Sequence, residues 1–100
     1  MFQVHKYFDG QVASLGFDAR EGREGRATVG VMAEGSYEFA TSSREIMQLV
    51  SGVWHIRLPD TDAWQTFSEG ERFTVLAHQK FQVRTEGQVA YICFYDDSEG

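Results

Sequence analysis

The stretch "YEFATSSREIMQLVSG", residues 37–52, decides the fold class of this chain. Tyr37, Phe39 and Thr41 recur at every second position, which is the period of a half-buried β-strand. The following segment, "SSREIMQLV", begins with serines that suit a helix cap, and its apolar residues fit both helical and strand spacing. Because it is short and runs into Ser51-Gly52, we interpret it as a strand followed by a tight turn.

Strand patterns continue on both sides of this stretch. "RATVGVMAEGSYEFAT" predicts two strands that meet at "AEGS", and "VWHIRLPD" predicts a strand that stops at Pro59-Asp60. Residues 64–96 predict further short strands, broken at "SEGE" and "TEGQ". Only "DAREGREGR" is predicted as a loop. The chain is therefore expected to be all-β, either a sandwich or a closed barrel.

Length and charge limit the classes of protein and partner. One hundred residues allow one domain, residues 1–100, with loose ends at 1–6 and 96–100. Such a small core favours a homo-oligomer, and we expect a homodimer. With 9 Lys and Arg against 15 Asp and Glu, the net charge of −6 argues against binding to a nucleic acid polymer. A small anion such as phosphate needs only one Arg and a few backbone N–H groups.

The location of the chain is predicted from its apolar runs and its cysteine. No run approaches the length that spans a membrane, and the N-terminus lacks the apolar core of a signal peptide. We therefore expect a cytoplasmic protein without a membrane partner. Cys93 is the one cysteine, in the apolar run "AYICFY", and is read either as a buried inert thiol or as a nucleophile.

Two segments resemble the motifs of cupins, which are double-stranded β-helix barrels of the jelly-roll type. The first cupin motif has His-x-His, a Glu three or four residues on, and a Gly seven beyond; Glu45 and Gly52 fit this frame, with Phe39 and Thr41 in the His positions. The second has Gly, five residues, Pro-x-Gly, two residues and His. It begins here at Gly70, with Leu76 for the Pro and Phe81 for the last His.

The histidine positions of these motifs usually bind a metal, and here they are changed. A phenyl ring has no lone pair, and one hydroxyl with one carboxylate is a poor site for iron, zinc or manganese. The three histidines, His5, His55 and His78, lie in different segments. We predict no metal; a metal-dependent cupin with unusual ligands is the alternative.

The inward faces of the predicted strands suggest a cup lined with aromatic rings. Strand alternation places Tyr37, Phe39 and Thr41 on one face, and Tyr91, Cys93 and Tyr95 on one face of another strand. A cup of this kind, with Phe39 and Phe81 as walls, would sandwich a planar ring such as a nucleobase. The alternative is that these side chains only fill the core, as they do in other small barrels.

Taken in order, several segments resemble the pyrimidine/purine nucleoside phosphorylase family of short single-domain bacterial cupins. The resemblance covers residues 7–95, and two departures are Leu76-Ala77 in place of Pro-Gly and a longer, more basic loop at 18–26. The segments that carry it are "YFDGQVASLGF", "GRATVGVMAEGSYEF", "MQLVSG", "LPDTDAWQTF", "GERFTV" with His78 and Phe81, and "AYICFY".

This resemblance implies a pentosyltransferase of nucleotide salvage. A nucleoside and inorganic phosphate would give a free purine or pyrimidine base and a pentose 1-phosphate, with no metal or organic cofactor. The runner-up is a non-catalytic cupin that binds a small metabolite. Phosphate-dependent release of uracil from uridine would separate the two.

Within this reading three residues are predicted to be catalytic. Arg26, in a resembling segment, is the first choice for a phosphate clamp, since its planar fork offers paired donors. Glu45 would bind ribose hydroxyls, or else hold the neighbouring turn. His78 would donate a proton to the leaving base, or else be a solvated turn residue. The predicted substrate-binding residues are Tyr37, Phe39, Thr41, Phe81 and Tyr91.

Overall fold

The computed structural model describes residues 2–19 and 26–96. Eight β-strands make up the fold: β1 (Val4–Tyr7), β2 (Val12–Asp18), β3 (Arg26–Met32), β4 (Ser36–Ala40), β5 (Arg44–Arg57), β6 (Gln65–Phe67), β7 (Arg72–Val75) and β8 (Lys80–Asp96). All pairs are antiparallel and belong to one sheet. In this part of the chain there is no helix of the length and apolarity that a membrane crossing requires.

The two long strands fold this sheet into two facing leaves. The larger leaf contains β1, β2, β3, β7, residues 44–51 of β5 and residues 89–96 of β8. The smaller leaf contains β4, β6, residues 53–57 of β5 and residues 80–86 of β8. The sheet is folded over and not closed into a continuous barrel. The predicted all-β, jelly-roll type fold is confirmed with this difference.

Aromatic side chains fill the space between the leaves. Trp54 of the smaller leaf is fully buried, and its ring lies 5.8 Å from Tyr91 and 5.7 Å from Phe73, both on the larger leaf. Phe73 also meets Phe81 of the smaller leaf at 5.9 Å. Because each ring contacts the opposite leaf, burial of these large apolar surfaces stabilises the fold-over itself.

Two predicted turns are wrong, for one reason. Ser51-Gly52 and "TEGQ" lie inside β5 and β8, where the strands bend together without reversing. Ser51 pairs with Ala90 and Val53 with Glu86, so residues 87–89 lie opposite Gly52 alone, as in a β-bulge. Gly52 has φ +102°, and a Cβ there would lie 2.8 Å from the carbonyl oxygen of Gln88. A Ser-Gly pair that is typical of a hairpin therefore marks a close bend here.

The other boundaries follow the sequence patterns. The turn at "AEGS", the break at "SEGE", the stop before Pro59-Asp60 and the strand at "REIMQLV" are confirmed. Residues 4–6 pair with β2, and Asp96 ends β8 with an ion pair to Arg44. Residues 1 and 97–100, and residues 20–25 of the predicted loop, lie outside the described part of the chain.

Candidate functional site

Two adjoining cavities lie against the inner face of the larger leaf, and the inner one also contacts the smaller leaf. The inner chamber, about 120 Å³, is lined by Phe39, Glu45, Met47, Phe81, Tyr91 and Cys93. The outer cleft, about 590 Å³, is lined by His5, Gly16, Asp18 and Arg26. Both are also lined by Tyr7, Thr28 and Tyr95, which we call the junction. The two cavities therefore adjoin at the junction, and we treat them together as one candidate site.

Strand register brings the polar groups of this site together. Glu45 of β5 pairs directly with Tyr95 of β8, and Thr28 of β3 pairs with Cys93 of β8. Directly paired antiparallel residues place their side chains on the same face of the sheet. Tyr95 thus lies between the strand that carries Glu45 and the strand that carries Arg26 and Thr28.

A glycine allows Tyr91 to lie flat on this face. Gly30 is the cross-strand partner of both Ser14 and Tyr91. A Cβ at Gly30 would lie 2.9 Å from the ring of Tyr91 and 2.9 Å from Cβ of Ser14. The absence of a side chain at Gly30 therefore gives the Tyr91 ring its space beside the inner chamber.

Glu45 is the unusual acid of the site. Burial raises its pKa to about 7, and the thiol of Cys93, which donates to Oε1 over 3.4 Å, opposes this rise only in part. Burial and the neighbouring Glu45 raise the pKa of Cys93 well above its usual value, so that residue stays a thiol and acts as the donor. Near neutral pH, Glu45 therefore exchanges between an acid and a carboxylate inside an aromatic chamber.

Tyr95 links the acid to the cationic side of the site. Its hydroxyl lies 3.3 Å from Oγ1 of Thr28, and the Arg26 guanidinium lies 5.4 Å from the centre of its ring. Burial raises the pKa of Tyr95 far above the neutral range, so its hydroxyl keeps its proton. The junction thus offers neutral hydroxyl groups between Glu45 and Arg26.

The two phenylalanines stack on each other and leave no gap for a base. The ring centroids of Phe39 and Phe81 are 5.7 Å apart with an interplanar angle of 28°. A third ring between two others needs about 7 Å between them, twice the contact distance of carbon atoms. The predicted sandwich is therefore not the observed arrangement, and the pair forms a wall of the inner chamber. Phe8 packs edge-on against Phe39, at 5.5 Å and 87°.

The structure brings five of the predicted residues to this site. Glu45, Phe39, Phe81 and Tyr91 line the inner chamber, and Arg26 lines the outer cleft. The remaining three, Tyr37, Thr41 and His78, are not among the residues that line either cavity.

These three side chains have structural contacts instead. The Tyr37 hydroxyl donates to the carbonyl oxygen of Ala33 over 2.6 Å. Thr41 holds the turn before β8, because its hydroxyl donates to the Leu76 carbonyl over 2.7 Å and accepts from the Gln79 amide over 3.0 Å. These bonds satisfy the polar atoms of both side chains inside the fold.

His78 is an exposed turn residue. It has φ 62°, and its backbone amide donates to the Thr41 carbonyl over 3.0 Å. Two residues after Leu76, this is the position that holds the Gly of the second cupin motif, and a positive φ explains why glycine suits it. The conformation of His78 serves the turn.

Sequence reasoning missed the junction as a set. Tyr95 shares the inward face of Tyr91 and Cys93, and Thr28 lies two residues beyond Arg26. The positions of both residues were visible in the sequence, but only the pairing of β3 with β8 shows that the two side chains meet.

Among residues 2–19 and 26–96, no group of three or more His, Cys, Asp or Glu is placed to bind a metal ion.

Comparison with known proteins identifies the family. The sequence profile described as "Pyrimidine/purine nucleoside phosphorylase" matches residues 2–95. The chain belongs to the pyrimidine/purine nucleoside phosphorylase family. A relative of that name from Pseudomonas putida (strain W619) is 53% identical over 97 residues, 97% of this chain and 100% of the relative. The family resemblance predicted from the ordered segments is thereby confirmed.

Solved structures share the fold of this member of the pyrimidine/purine nucleoside phosphorylase family. A protein of unknown function from Vibrio parahaemolyticus, 35% identical, superposes with a TM-score of 0.86 over 95% of this chain and 98% of that one. Hydroxypropylphosphonic acid epoxidase from S. wedmorenis, 12% identical, has a TM-score of 0.73 over 94% of this chain and 55% of that one. At this identity the second likeness concerns the fold alone.

Proposed function

We propose that this chain is a nucleoside phosphorylase, a pentosyltransferase that converts a nucleoside and inorganic phosphate into a free base and a pentose 1-phosphate. The observation that carries the proposal is Glu45, whose pKa of about 7 lies near neutrality in a chamber that opens to the cleft of Arg26. An acid and a cation at opposite ends of one site suit a reaction that protonates a leaving group and binds an anionic nucleophile.

The bond changes assign a task to each end of the site. A phosphate oxygen forms a bond to C1′ of the pentose while the C1′–N bond breaks. The electron pair of the C1′–N bond goes to the base. Protonated Glu45 donates its proton to the departing base, and the proton carried by the phosphate returns through solvent to restore Glu45. Holding both reactants in line contributes to the rate because it removes their freedom of motion beforehand.

We assign the role of general acid, which protonates the departing base, to Glu45 and not to His78. A general acid must lie within hydrogen-bond reach of the group that it protonates. Glu45 lines the chamber, whereas His78 is exposed in the turn before β8. Arg26 remains the proposed phosphate clamp, because its guanidinium offers the paired donors that a phosphate dianion accepts.

We propose that the reaction needs no metal or other cofactor and accepts purine and pyrimidine nucleosides. Phe39 and Phe81, at the positions where cupin motifs have histidines, have no lone pairs to donate to a metal. The phosphate dianion offsets positive charge on the sugar, and Arg26 offsets charge on the phosphate. Aromatic walls contact the faces of a ring, and such contacts discriminate weakly between bases.

A tube assay tests the proposal. The purified chain is incubated with uridine with and without inorganic phosphate, and free uracil is measured. We expect uracil only when phosphate is present, and no effect of a chelator. Release without phosphate would indicate a hydrolase, and no release from any nucleoside would favour a protein that only binds.

We propose further that two copies associate through the outer face of the larger leaf. Val4, Leu15 and Val29 are consecutive cross-strand partners on this face, and Val31 lies beside them; their exposed fractions are 38–58%. Two copies of a chain with a net charge of −6 repel each other, and an uncharged apolar face is where they approach at least cost. A second copy is therefore the occupant that best fits this surface.

The oligomeric state tests this proposal. We expect sedimentation or light scattering to give a dimer for the wild-type chain and a monomer for the double variant Val29→Glu, Val31→Glu. Leu76→Glu is the matched control, since Leu76 is 53% exposed in the turn before β8 and away from this face. A monomeric wild-type chain, or a double variant that remains dimeric, would contradict the proposal.

Finally, we propose a role in nucleoside salvage in the cytoplasm, with no membrane or nucleic acid polymer as partner. The free thiol of buried Cys93 suits a reducing compartment. The acidic net charge of −6 disfavours a polyanion.

A further inference from the structure

We propose that the two cavities are consecutive subsites: the inner chamber takes the base, and the outer cleft takes the pentose and the phosphate. On this assignment the scissile bond lies at the junction of Tyr7, Thr28 and Tyr95. The inference rests on the proposed phosphorolysis and adds to it the direction in which a nucleoside enters.

Size separates the occupants of the two cavities. Sites for drug-sized ligands begin at about 300 Å³, so the inner chamber of about 120 Å³ is too small for a nucleoside. An engineered apolar cavity of about 150 Å³ in another protein binds benzene, a single six-membered ring. The inner chamber is slightly smaller than that cavity, so one ring is the most that it accommodates, and the outer cleft of about 590 Å³ has room for the rest of a nucleoside.

Chemistry points in the same direction. The inner chamber has aromatic and thioether walls and one acid, Glu45, that is able to protonate a leaving base. A phosphate dianion is disfavoured there, because the walls are largely apolar and their lining contains no cationic side chain. Arg26 lies on the outer cleft as the cross-strand partner of Asp18, and its guanidinium offers paired donors to an anion.

The junction is suited to hold the sugar. The hydroxyls of Thr28 and Tyr95, 3.3 Å apart, donate and accept hydrogen bonds, as the hydroxyls of a pentose also do. By strand register Tyr95 lies beside Glu45, and its ring lies under the Arg26 guanidinium at 5.4 Å. Tyr95 therefore lies beside the residues at both ends of the site, and we assign it as a positioning residue.

The small inner chamber also predicts a specificity. A pyrimidine has one ring and is close to the chamber in size, whereas a purine has two rings and needs a larger movement of the walls. A single extra methylene in an apolar pocket already changes kcat/KM by about 10- to 200-fold, and a second ring is a larger mismatch. We expect both classes of nucleoside to be cleaved, with kcat/KM for uridine about tenfold or more above that for adenosine.

Amide-resolved NMR titrations of the full chain test the subsites without catalysis. We expect uracil to shift the amide signals of Glu45, Phe81 and Cys93, and inorganic phosphate to shift those of Gly16 and Arg26. Uracil shifts confined to the outer cleft, or none up to millimolar concentrations, would overturn the assignment. If such NMR shifts are found in a preparation that cleaves uridine with phosphate, the subsite assignment is wrong and the proposed function stands. If the preparation cleaves no nucleoside, the proposed function itself is contradicted.

A variant pair tests the specificity. Met47→Ala enlarges the inner chamber, and Ile56→Ala opens a cavity in the core of the smaller leaf, at a buried residue that lines neither cavity. We expect the uridine-to-adenosine ratio of kcat/KM to fall about tenfold in Met47→Ala and to stay unchanged in Ile56→Ala. An equal ratio in all three proteins would contradict the inference. Tyr95→Phe, made in the wild-type chain and in both of these variants, should lower kcat about tenfold. The KM for phosphate should stay nearly unchanged, because the substitution removes one hydroxyl hydrogen bond.

Discussion

Replacing Glu45 by Gln is expected to lower kcat for phosphorolysis by about 10²- to 10⁴-fold, the usual contribution of a positioned general acid. Gln has nearly the same shape but has no proton to give. Glu38→Gln, on an exposed position of β4, is the matched control and should retain wild-type kcat. Steady-state rates with uridine at saturating phosphate measure both. A Glu45→Gln enzyme with wild-type kcat would remove Glu45 from the chemistry.

The same acid predicts how activity depends on pH. Because donation requires the protonated form, kcat of the wild-type enzyme should fall as pH rises through about 7, the pKa of Glu45. The residual activity of Glu45→Gln should lack this alkaline limb.

Glu45→Gln is expected to lower activity but to raise the stability of the fold above neutral pH. The pKa of Glu45 is raised from 4.5 to about 7 in the folded chain, so the folded state holds this proton more tightly than the unfolded state. The free energy of unfolding is therefore expected to fall between about pH 4.5 and 7, by about 3 kcal/mol, and to stay level above that range. Glu45→Gln should lack this loss and be more stable than wild type at pH 8, which urea titrations at several pH values measure.

The second large effect is expected at Arg26. Arg26→Ala should raise the KM for phosphate about 10- to 100-fold, because charge-assisted hydrogen bonds contribute about 1.5–3 kcal/mol. The KM for uridine should change much less. Arg26→Lys keeps the charge but not the paired donors, and it should restore only part of the affinity.

A matched arginine separates this role from a general effect of charge. Arg57 lies over the ring of Trp64, at 5.5 Å, on the smaller leaf, so Arg57→Ala removes the same charge away from the site. We expect this variant to keep the wild-type KM for phosphate. If Arg26→Ala also keeps it, the clamp lies elsewhere.

Strand positions were predictable from the sequence where alternation was regular and turns were short. The pattern on both sides of "AEGS" gave β3 and β4, and the alternation of Tyr91, Cys93 and Tyr95 gave the inward face of β8. Gly52 and Gly87 were misread because a glycine in a bend and a glycine in a hairpin have the same local signature. Only the partner strand distinguishes them, and pairing between distant segments is not visible in a local pattern.

The site was predictable only in part, for a similar reason. Glu45, Phe39 and Phe81 stood in motif positions, and the motif fixes their place in the fold. For His78 the sequence left two roles open, a proton donor or a solvated turn residue, and its position two residues after Leu76, the glycine position of the motif, favours the turn. Tyr95 and Thr28 carry no motif, and they meet only because β3 pairs with β8.

The fate of phosphate oxygen tests the central proposal most directly. Uridine is incubated with the enzyme and phosphate labelled with ¹⁸O at all four oxygens, and the sugar product is analysed by mass spectrometry. Attack by phosphate on C1′ predicts a pentose 1-phosphate that retains all four labelled oxygens, formed in equal amount to uracil. Unlabelled free pentose beside the uracil would contradict it, since water would then be the nucleophile.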